Sequence, residues 1–80
     1  MIKQYRDQIQ IQLIMLNALR ERKTITGVMF DLRTSLPSTR LHIRLGFKYG
    51  LIYQDSKFYY INDKGRKLLE LLGDGKEWQE

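Results

Sequence analysis

The chain contains a single proline, Pro37, which separates two predicted elements in the middle of the sequence. The residue before a proline is sterically excluded from the α region, so a preceding helix must end before Pro37. Proline is tolerated in the first turn of a helix, where its missing N–H has no intrahelical partner. The sequence therefore predicts a helix, a turn at Ser35 and Leu36, and a new helix near Pro37. Either Ser35 or Ser38 can supply the capping hydroxyl.

The segment that follows, residues 37–49, is basic. Arg40, Arg44 and Lys48 are spaced i, i+4 and i+8, so in a helix they form one cationic stripe. Residues 32–54 contain no Asp or Glu, and the whole chain has a net charge of +5. This pattern favours a surface that binds a polyanion. The alternative is a solvated face that only keeps the protein soluble.

The same segment also has the alternation of a β-strand. From Leu41 to Tyr49 apolar residues alternate with polar residues or glycine, which is a period of two. A helix here has two apolar arcs beside the basic stripe, and Gly46 costs it about 1 kcal/mol. We favour the helix because Gly50 can end it in a left-handed conformation and β-forming residues follow. The strand alternative predicts a three-stranded sheet that contacts RNA or single strands through aromatic side chains.

The N-terminal segment, residues 3–22, is predicted to form a helix that faces the core. The predicted core stripe consists of Ile9, Leu13, Leu16 and Arg20. The predicted polar face opposite consists of Gln4, Gln8 and Gln12. Ile11 and Ile14 either complete a broad buried arc or contact a second subunit.

A second helix is predicted between this segment and Pro37. Thr26 is the predicted N-cap, because its hydroxyl can accept an unpaired backbone N–H of the first turn. Ile25 would then pack against Phe30 as a hydrophobic staple. The apolar spacing continues to Leu32.

The C-terminal third is predicted to form a β-hairpin and a last helix. Strands at residues 51–53 and 58–61 flank a polar turn whose basic tip is Lys57. Asn62 or Asp63 caps the helix, which ends at Gly73. The residues predicted to lie mostly in the core are Leu68, Leu69, Leu71 and Leu72. Trp78, in the tail, either docks on the domain or belongs to a dimer contact.

Composition restricts the class of protein. Eighty residues support one domain, predicted as residues 1–73 with a polar tail at 74–80. The absence of cysteine excludes disulfides, thiolate metal sites and thiol catalysis. The longest apolar run, LIML at residues 13–16, is too short for a membrane span, so a cytoplasmic protein is expected. With one histidine and no glycine-rich phosphate loop, neither enzyme activity nor a cofactor is expected.

Three segments resemble the winged helix-turn-helix domain of small transcriptional regulators of the MarR, PadR and ArsR kind. ITGVMFDL resembles the second helix, PSTRLHIRLGFKYGLI the recognition helix, and YYINDKGRKLLELL the returning wing strand with the last helix. Gly46 departs from this pattern, which usually has an aliphatic residue there. The resemblance implies an α+β, mainly helical fold with a three-helix core, a β-hairpin wing and a C-terminal helix.

The implied function is sequence-specific binding of double-stranded DNA, with the helix at residues 37–49 in the major groove and the wing at 53–60 near the backbone. The candidate DNA-binding residues are Arg33, Ser38, Thr39, Arg40, His42, Arg44, Lys48 and Lys57. A homodimer through the N-terminal and C-terminal segments is expected, because one unit reads few base pairs. The alternative function is a winged-helix module that binds partner proteins and does not bind DNA.

Overall fold

The computed structural model describes residues 8–73, which form four helices and one antiparallel hairpin. In chain order the elements are α1 (Gln8–Ala18), α2 (Ile25–Leu32), α3 (Leu36–Lys48), β1 (Ile52–Asp55), β2 (Phe58–Ile61) and α4 (Asp63–Leu72). The predicted α+β, mainly helical fold is confirmed. The predictions for Gln4, for Trp78 and for the tail lie outside the described residues.

The first helix, α1, lies at the centre of the fold and contacts α2, α3, α4 and β2. Leu13 and Leu16 are fully buried, as predicted. Ile14 is also buried and Ile11 packs partly buried against the core, which favours the broad buried arc. A central helix is covered on several sides, so most of its surface joins the core.

This central position makes part of the predicted α1 pattern wrong. Gln12, predicted on an exposed polar face, is 5% exposed, whereas Ile9 of the predicted core stripe is 56% exposed. Arg20 is exposed too, and its Nε donates to Asn17 Oδ1 at 2.8 Å. A glutamine carries no charge, so it can be buried when a hydrogen bond offsets its desolvation.

The helix α1 ends at Ala18, before the predicted end at residue 22. Backbone pairing explains the early end: the N–H of Lys23 donates to the Tyr59 carbonyl at 3.1 Å, and the Tyr59 N–H returns a bond of 2.8 Å. The Ile61 N–H also donates to the Leu19 carbonyl at 3.0 Å. Residues that pair with β2 in this way cannot continue the helical ladder.

The second helix, α2, is capped by Thr24, so the prediction of Thr26 was wrong. Thr24 has extended backbone angles, and its hydroxyl accepts the Gly27 N–H at 3.3 Å. The predicted staple is also wrong, because Phe30 is 70% exposed. The helix ends on Arg33, which adopts the left-handed conformation at φ 55°.

The third helix, α3, is confirmed over the ambiguous segment, and the three-stranded sheet alternative is wrong. Ser35 is its N-cap, with its Oγ accepting the Ser38 N–H at 3.3 Å. Leu36, predicted in the turn, is already helical, and Pro37 lies in the first turn. The buried positions Thr39, Ile43 and Gly46 follow a helical spacing. Tertiary packing therefore overrides the strand-like alternation of residues 41–49.

Glycines end α3 and allow its close packing. Gly50 is left-handed at φ 71°, as predicted, and its N–H donates to the Phe47 carbonyl while the Leu51 N–H donates to the Gly46 carbonyl. These two bonds form a Schellman motif. A Cβ at Gly46 would lie 3.0 Å from Ile52 Cδ1 and 3.1 Å from Met15 Cε. The departure of Gly46 from the family pattern therefore coincides with a close contact of α3 with β1 and α1.

The hairpin pairs β1 with β2 in the antiparallel register Ile52↔Ile61, Tyr53↔Tyr60, Gln54↔Tyr59 and Asp55↔Phe58. Its turn is Ser56 and Lys57, with Ser56 at a positive φ of 60°. Ile52 and Ile61 are buried. The end of the hairpin that carries this pair therefore lies in the core, and the basic tip lies at the opposite, exposed end.

The last helix, α4, is capped by Asn62, which resolves the choice left open by the sequence. Its Oδ1 accepts the Gly65 N–H at 2.8 Å, and its Nδ2 donates to the Gly50 carbonyl at 2.8 Å. Leu69 is 3% exposed and Leu68 packs against the core. The predicted core positions Leu71 and Leu72 are wrong, because they are 79% and 40% exposed.

Candidate nucleic-acid interface

One face of α3 is exposed along its length and carries the basic stripe. The face consists of Pro37, Arg40, Leu41, Arg44 and Lys48, all exposed, and is called the α3 face below. On a helix of 3.6 residues per turn these positions lie opposite the buried stripe of Thr39, Ile43 and Gly46. The buried stripe thus anchors α3 to the domain and directs the cationic side chains to solvent.

No acidic side chain of the described residues forms an ion pair with the α3 face. Within residues 8–73 the ion pairs are Lys23 Nζ with Asp31 Oδ2 at 2.7 Å and Arg66 with Asp63 at 3.5 Å. Neither pair involves α3. The three cations of the α3 face therefore make no salt bridge with another described residue and remain free to bind an anion.

Two of the candidate DNA-binding residues lie in the interior, which contradicts their place in the interface. Thr39 is 0% exposed, and its hydroxyl donates to the Ser35 carbonyl at 2.8 Å. His42 is 9% exposed, on the side of α3 that faces Gln12 of α1. The N-terminal position of Thr39 made it a candidate, but it lies on the buried side of the helix. Ser38 is half-buried at the first turn.

The His42 imidazole is also unsuited to hold a phosphate. Burial lowers the pKa of His42 from its usual value of 6.5, because desolvation disfavours the charged form. Its Nδ1 is buried with no hydrogen-bond partner among the described residues. The neutral form of His42 is therefore expected at pH 7, so this residue adds no positive charge to the surface of α3.

The two remaining predicted cations lie at the ends of other elements. Lys57 is exposed in the wing turn, with its Nζ 5.7 Å from the centre of the Phe58 ring. Arg33 is exposed at the left-handed C-terminal residue of α2, which precedes the turn into α3. Both are on the surface, as a backbone contact requires.

Aromatic side chains connect α3 to the wing. The Phe47 and Tyr59 rings meet edge to face with centroids 6.1 Å apart. They line a shallow cavity of about 460 Å³, together with Ile25, Arg40, Ile43 and Arg44. On the other side of the hairpin Tyr60 packs against Tyr53 at 4.3 Å, and Arg22 lies 4.9 Å above the Tyr60 ring. These contacts fix the wing relative to α3.

Sequence reasoning missed Leu41 as part of the exposed surface. The residue was assigned to an apolar arc, yet it is 42% exposed at the centre of the α3 face. Leu41 lies two residues after the buried Thr39 and therefore about 200° around the helix from it, on the opposite side. The missing information was which stripe of α3 is buried.

A second cavity of about 640 Å³ lies beside the Lys48 end of the α3 face and is lined by Gln8, Ile9, Gln12, Lys48, Tyr49, Leu51, Lys64 and Leu68. Among residues 8–73 no group of three His, Cys, Asp or Glu side chains is placed to hold a metal ion. Over the same residues, no helix has both the length and the apolar character needed to cross a membrane.

Comparison with known proteins agrees with this architecture. A family model described as winged helix-turn-helix matches residues 5–80. No curated protein matches the chain. The finer resemblance to MarR, PadR and ArsR regulators stays a prediction. The match spans nearly the whole sequence and the helices and hairpin follow the expected order, so the chain belongs to the winged helix-turn-helix family.

Proposed function

We propose that this protein binds duplex DNA sequence-specifically and acts in the cytoplasm as a small transcriptional regulator. Membership of the winged helix-turn-helix family suggests DNA binding. The observation that carries the proposal is the α3 face, a row of exposed Arg40, Arg44 and Lys48 that form no ion pair within residues 8–73. A helix of this width fits the major groove of B-DNA.

In the proposed complex the N-terminal half of α3 reads bases and its C-terminal half contacts backbone. Arg40 can pair bidentately with guanine, whereas Arg44 and Lys48 lie nearer phosphates. Arg33 and Lys57 are assigned to the phosphate backbone, and Ser38, half-buried in the first turn of α3, to base edges beside Arg40. Thr39 and His42 are left out because they are buried. No catalytic role is assigned.

The proposal includes a homodimer, because a single unit reads few base pairs and two copies on a two-fold axis read half-sites about 34 Å apart. Ile11, predicted to lie either in a buried arc or at a second subunit, packs against the core of the monomer. The exposed apolar groups that support the terminal interface are Ile9, Leu71 and Leu72. Leu71 and Leu72 belong to α4, whereas Ile9 of α1 lines a cavity with Lys48. The proposed interface therefore borders the Lys48 end of the α3 face and leaves Arg40 and Arg44 outside it.

Binding to duplex DNA at several salt concentrations tests the proposal. Each phosphate neutralised contributes about 0.9 to the slope of log K against log salt concentration. We expect the triple variant Arg40→Gln, Arg44→Gln, Lys48→Gln to bind weakly and to lose about two units of slope, about 0.9 for each phosphate contact of Arg44 and Lys48, measured by fluorescence anisotropy.

The matched control removes the same charge from another helix. The triple variant Lys64→Gln, Arg66→Gln, Lys67→Gln neutralises three exposed cations of α4 and should keep most of the slope. Equal losses in both variants would mean that net charge, and not the α3 face, drives binding. No binding by the unaltered protein at low salt would instead favour a module that binds partner proteins.

A further inference from the structure

Leu41 is an exposed leucine among the cationic side chains of the α3 face. It is 42% exposed, and it belongs neither to the buried core nor to the partly buried hydrophobic residues packed against that core in residues 8–73. Its neighbours on the helix surface at i−4, i+3 and i+7 are Pro37, Arg44 and Lys48. An apolar side chain thus lies inside a cationic surface.

The packing of the fold does not require a leucine here. The neighbouring aromatic residue Phe47 is comparably exposed at 41%, yet its ring contacts Tyr59 and connects α3 to the wing. Leu41 lies about 200° from Thr39, on the opposite side of the helix from the core. A phosphate gains nothing from an aliphatic group, so the role open to Leu41 in a nucleic-acid interface is contact with an apolar group of the ligand.

The major groove of DNA offers one apolar group on its base edges, the C5-methyl group of thymine. Leu41 belongs to the N-terminal half of α3, the part of a recognition helix that contacts base edges. We infer that Leu41 is a specificity-determining residue that contacts a thymine methyl group in the recognised sequence. This inference rests on the proposed DNA binding and adds to it the identity of a base.

The relation of Leu41 to Arg40 makes the inference more specific. The two residues are adjacent in sequence, so their side chains leave the helix about 100° apart. With a spacing of about 3.4 Å between base pairs, both can reach the groove within about one or two base-pair steps. The selected site should therefore contain a guanine close to a thymine.

Deoxyuridine provides the test, because it pairs like thymidine and lacks only the C5-methyl group. A preferred duplex is first selected from random DNA with the unaltered protein. Each thymine of that duplex is then replaced in turn by deoxyuridine, and affinity is measured by anisotropy. We expect one replacement under α3 to weaken binding by about fourfold, which corresponds to ~0.8 kcal/mol for one buried methyl-sized group.

Variants at Leu41 assign the effect to this residue. Leu41→Ala should bind the thymine and deoxyuridine duplexes equally, whereas Leu41→Met should keep the difference because its side chain stays long and apolar. Leu71→Ala removes an exposed leucine from α4 and should keep the full difference. Circular dichroism should give the same spectrum for all of these variants, since both leucines are exposed.

Each other outcome overturns the inference. A selected site in which no deoxyuridine replacement changes affinity means that no methyl group is read. A thymine preference that persists in Leu41→Ala means that another residue reads it. In both cases the protein still binds DNA, so the proposed function stands, whereas failure to bind any duplex rejects both.

Discussion

The side-chain amide of Gln12 in α1 donates a hydrogen bond of 2.8 Å to the backbone carbonyl of His42 in α3. The bond is buried and joins residues 30 positions apart in sequence. It connects the central helix directly to the helix whose other side is the α3 face. Gln12 Oε1 and His42 Nδ1, however, are buried without a partner among the described residues. The contact thus combines one satisfied bond with two unsatisfied atoms.

Substitution of Gln12 should separate these contributions. Gln12→Ala removes the hydrogen bond and leaves a cavity, so it should lower the free energy of unfolding by about 2–3 kcal/mol. Gln12→Met fills the space and removes the unpaired oxygen, so it should be nearly neutral. Urea denaturation measures both variants. If Gln12→Met lowers the free energy of unfolding as much as Gln12→Ala does, the hydrogen bond contributes more to stability than the filled volume.

The free energy of unfolding should decrease as the pH falls below about 6.5, because of His42. Its pKa is lowered by burial in the folded state, so in this range the unfolded chain binds a proton that the folded protein does not. The unfolding free energy therefore decreases as the pH falls from 6.5 toward the folded-state pKa and is level above 6.5. Comparison of urea denaturation at pH 7.5 and 5.5 measures this loss, which His42→Gln should lack. If His42→Gln keeps the full loss of unfolding free energy, other titratable groups cause it.

Gly65 should not tolerate a side chain. A Cβ there would lie 2.5 Å from the Leu51 carbonyl oxygen and 2.7 Å from Ile61 Cγ1. Gly65→Ala should therefore lower the free energy of unfolding by about 1–3 kcal/mol through overpacking. Gly27→Ala is the matched control, since its nearest neighbour would be at 3.5 Å and alanine stabilises a helix by about 0.5–1 kcal/mol. Thermal denaturation measures both variants, and equal changes in Tm would contradict the close approach of α4 to Leu51.

Arg40 and Lys57 should have different effects on DNA binding. Arg40→Ala should relax the preference at one base position and cost about 1–3 kcal/mol on the preferred site. Lys57→Ala should weaken binding to all sequences about equally, because a phosphate contact carries no sequence information. Competition with mutated duplexes distinguishes the two effects. The reverse pattern would show that α3 does not lie in the groove as proposed.

The dimer should depend on the terminal leucines. Leu71 is 79% exposed on α4, so Leu71→Lys should weaken the proposed homodimer without affecting the fold. Phe30→Lys, at a 70% exposed position on α2, is the control and should leave the dimer intact. Sedimentation equilibrium at micromolar concentration measures both. A monomer of 9.6 kDa for the unaltered protein that still binds DNA would reject the dimer.

The sequence by itself determined the order of the elements and several of their ends, such as the C-terminal end of α3 and both ends of β2. These are local properties: Pro37 divides two helices, Gly50 ends α3 in a left-handed conformation, and hydroxyl or amide residues precede each described helix from α2 onward. The cationic stripe of α3 is equally local, because it needs only the spacing of Arg40, Arg44 and Lys48. Such features depend on residues within one or two turns of each other.

Only the tertiary structure decided which side of each helix is buried. Gln12 is buried and Ile9 is exposed, because other elements surround the middle of α1. Thr39 and His42 lie on the buried side of α3, because α3 packs on α1 and α2. The end of α1 likewise depends on pairing between Lys23 and Tyr59, which are 36 residues apart. Burial and long-range pairing are properties of the assembled fold, so a periodic pattern identified the helix but not the side that meets its neighbours.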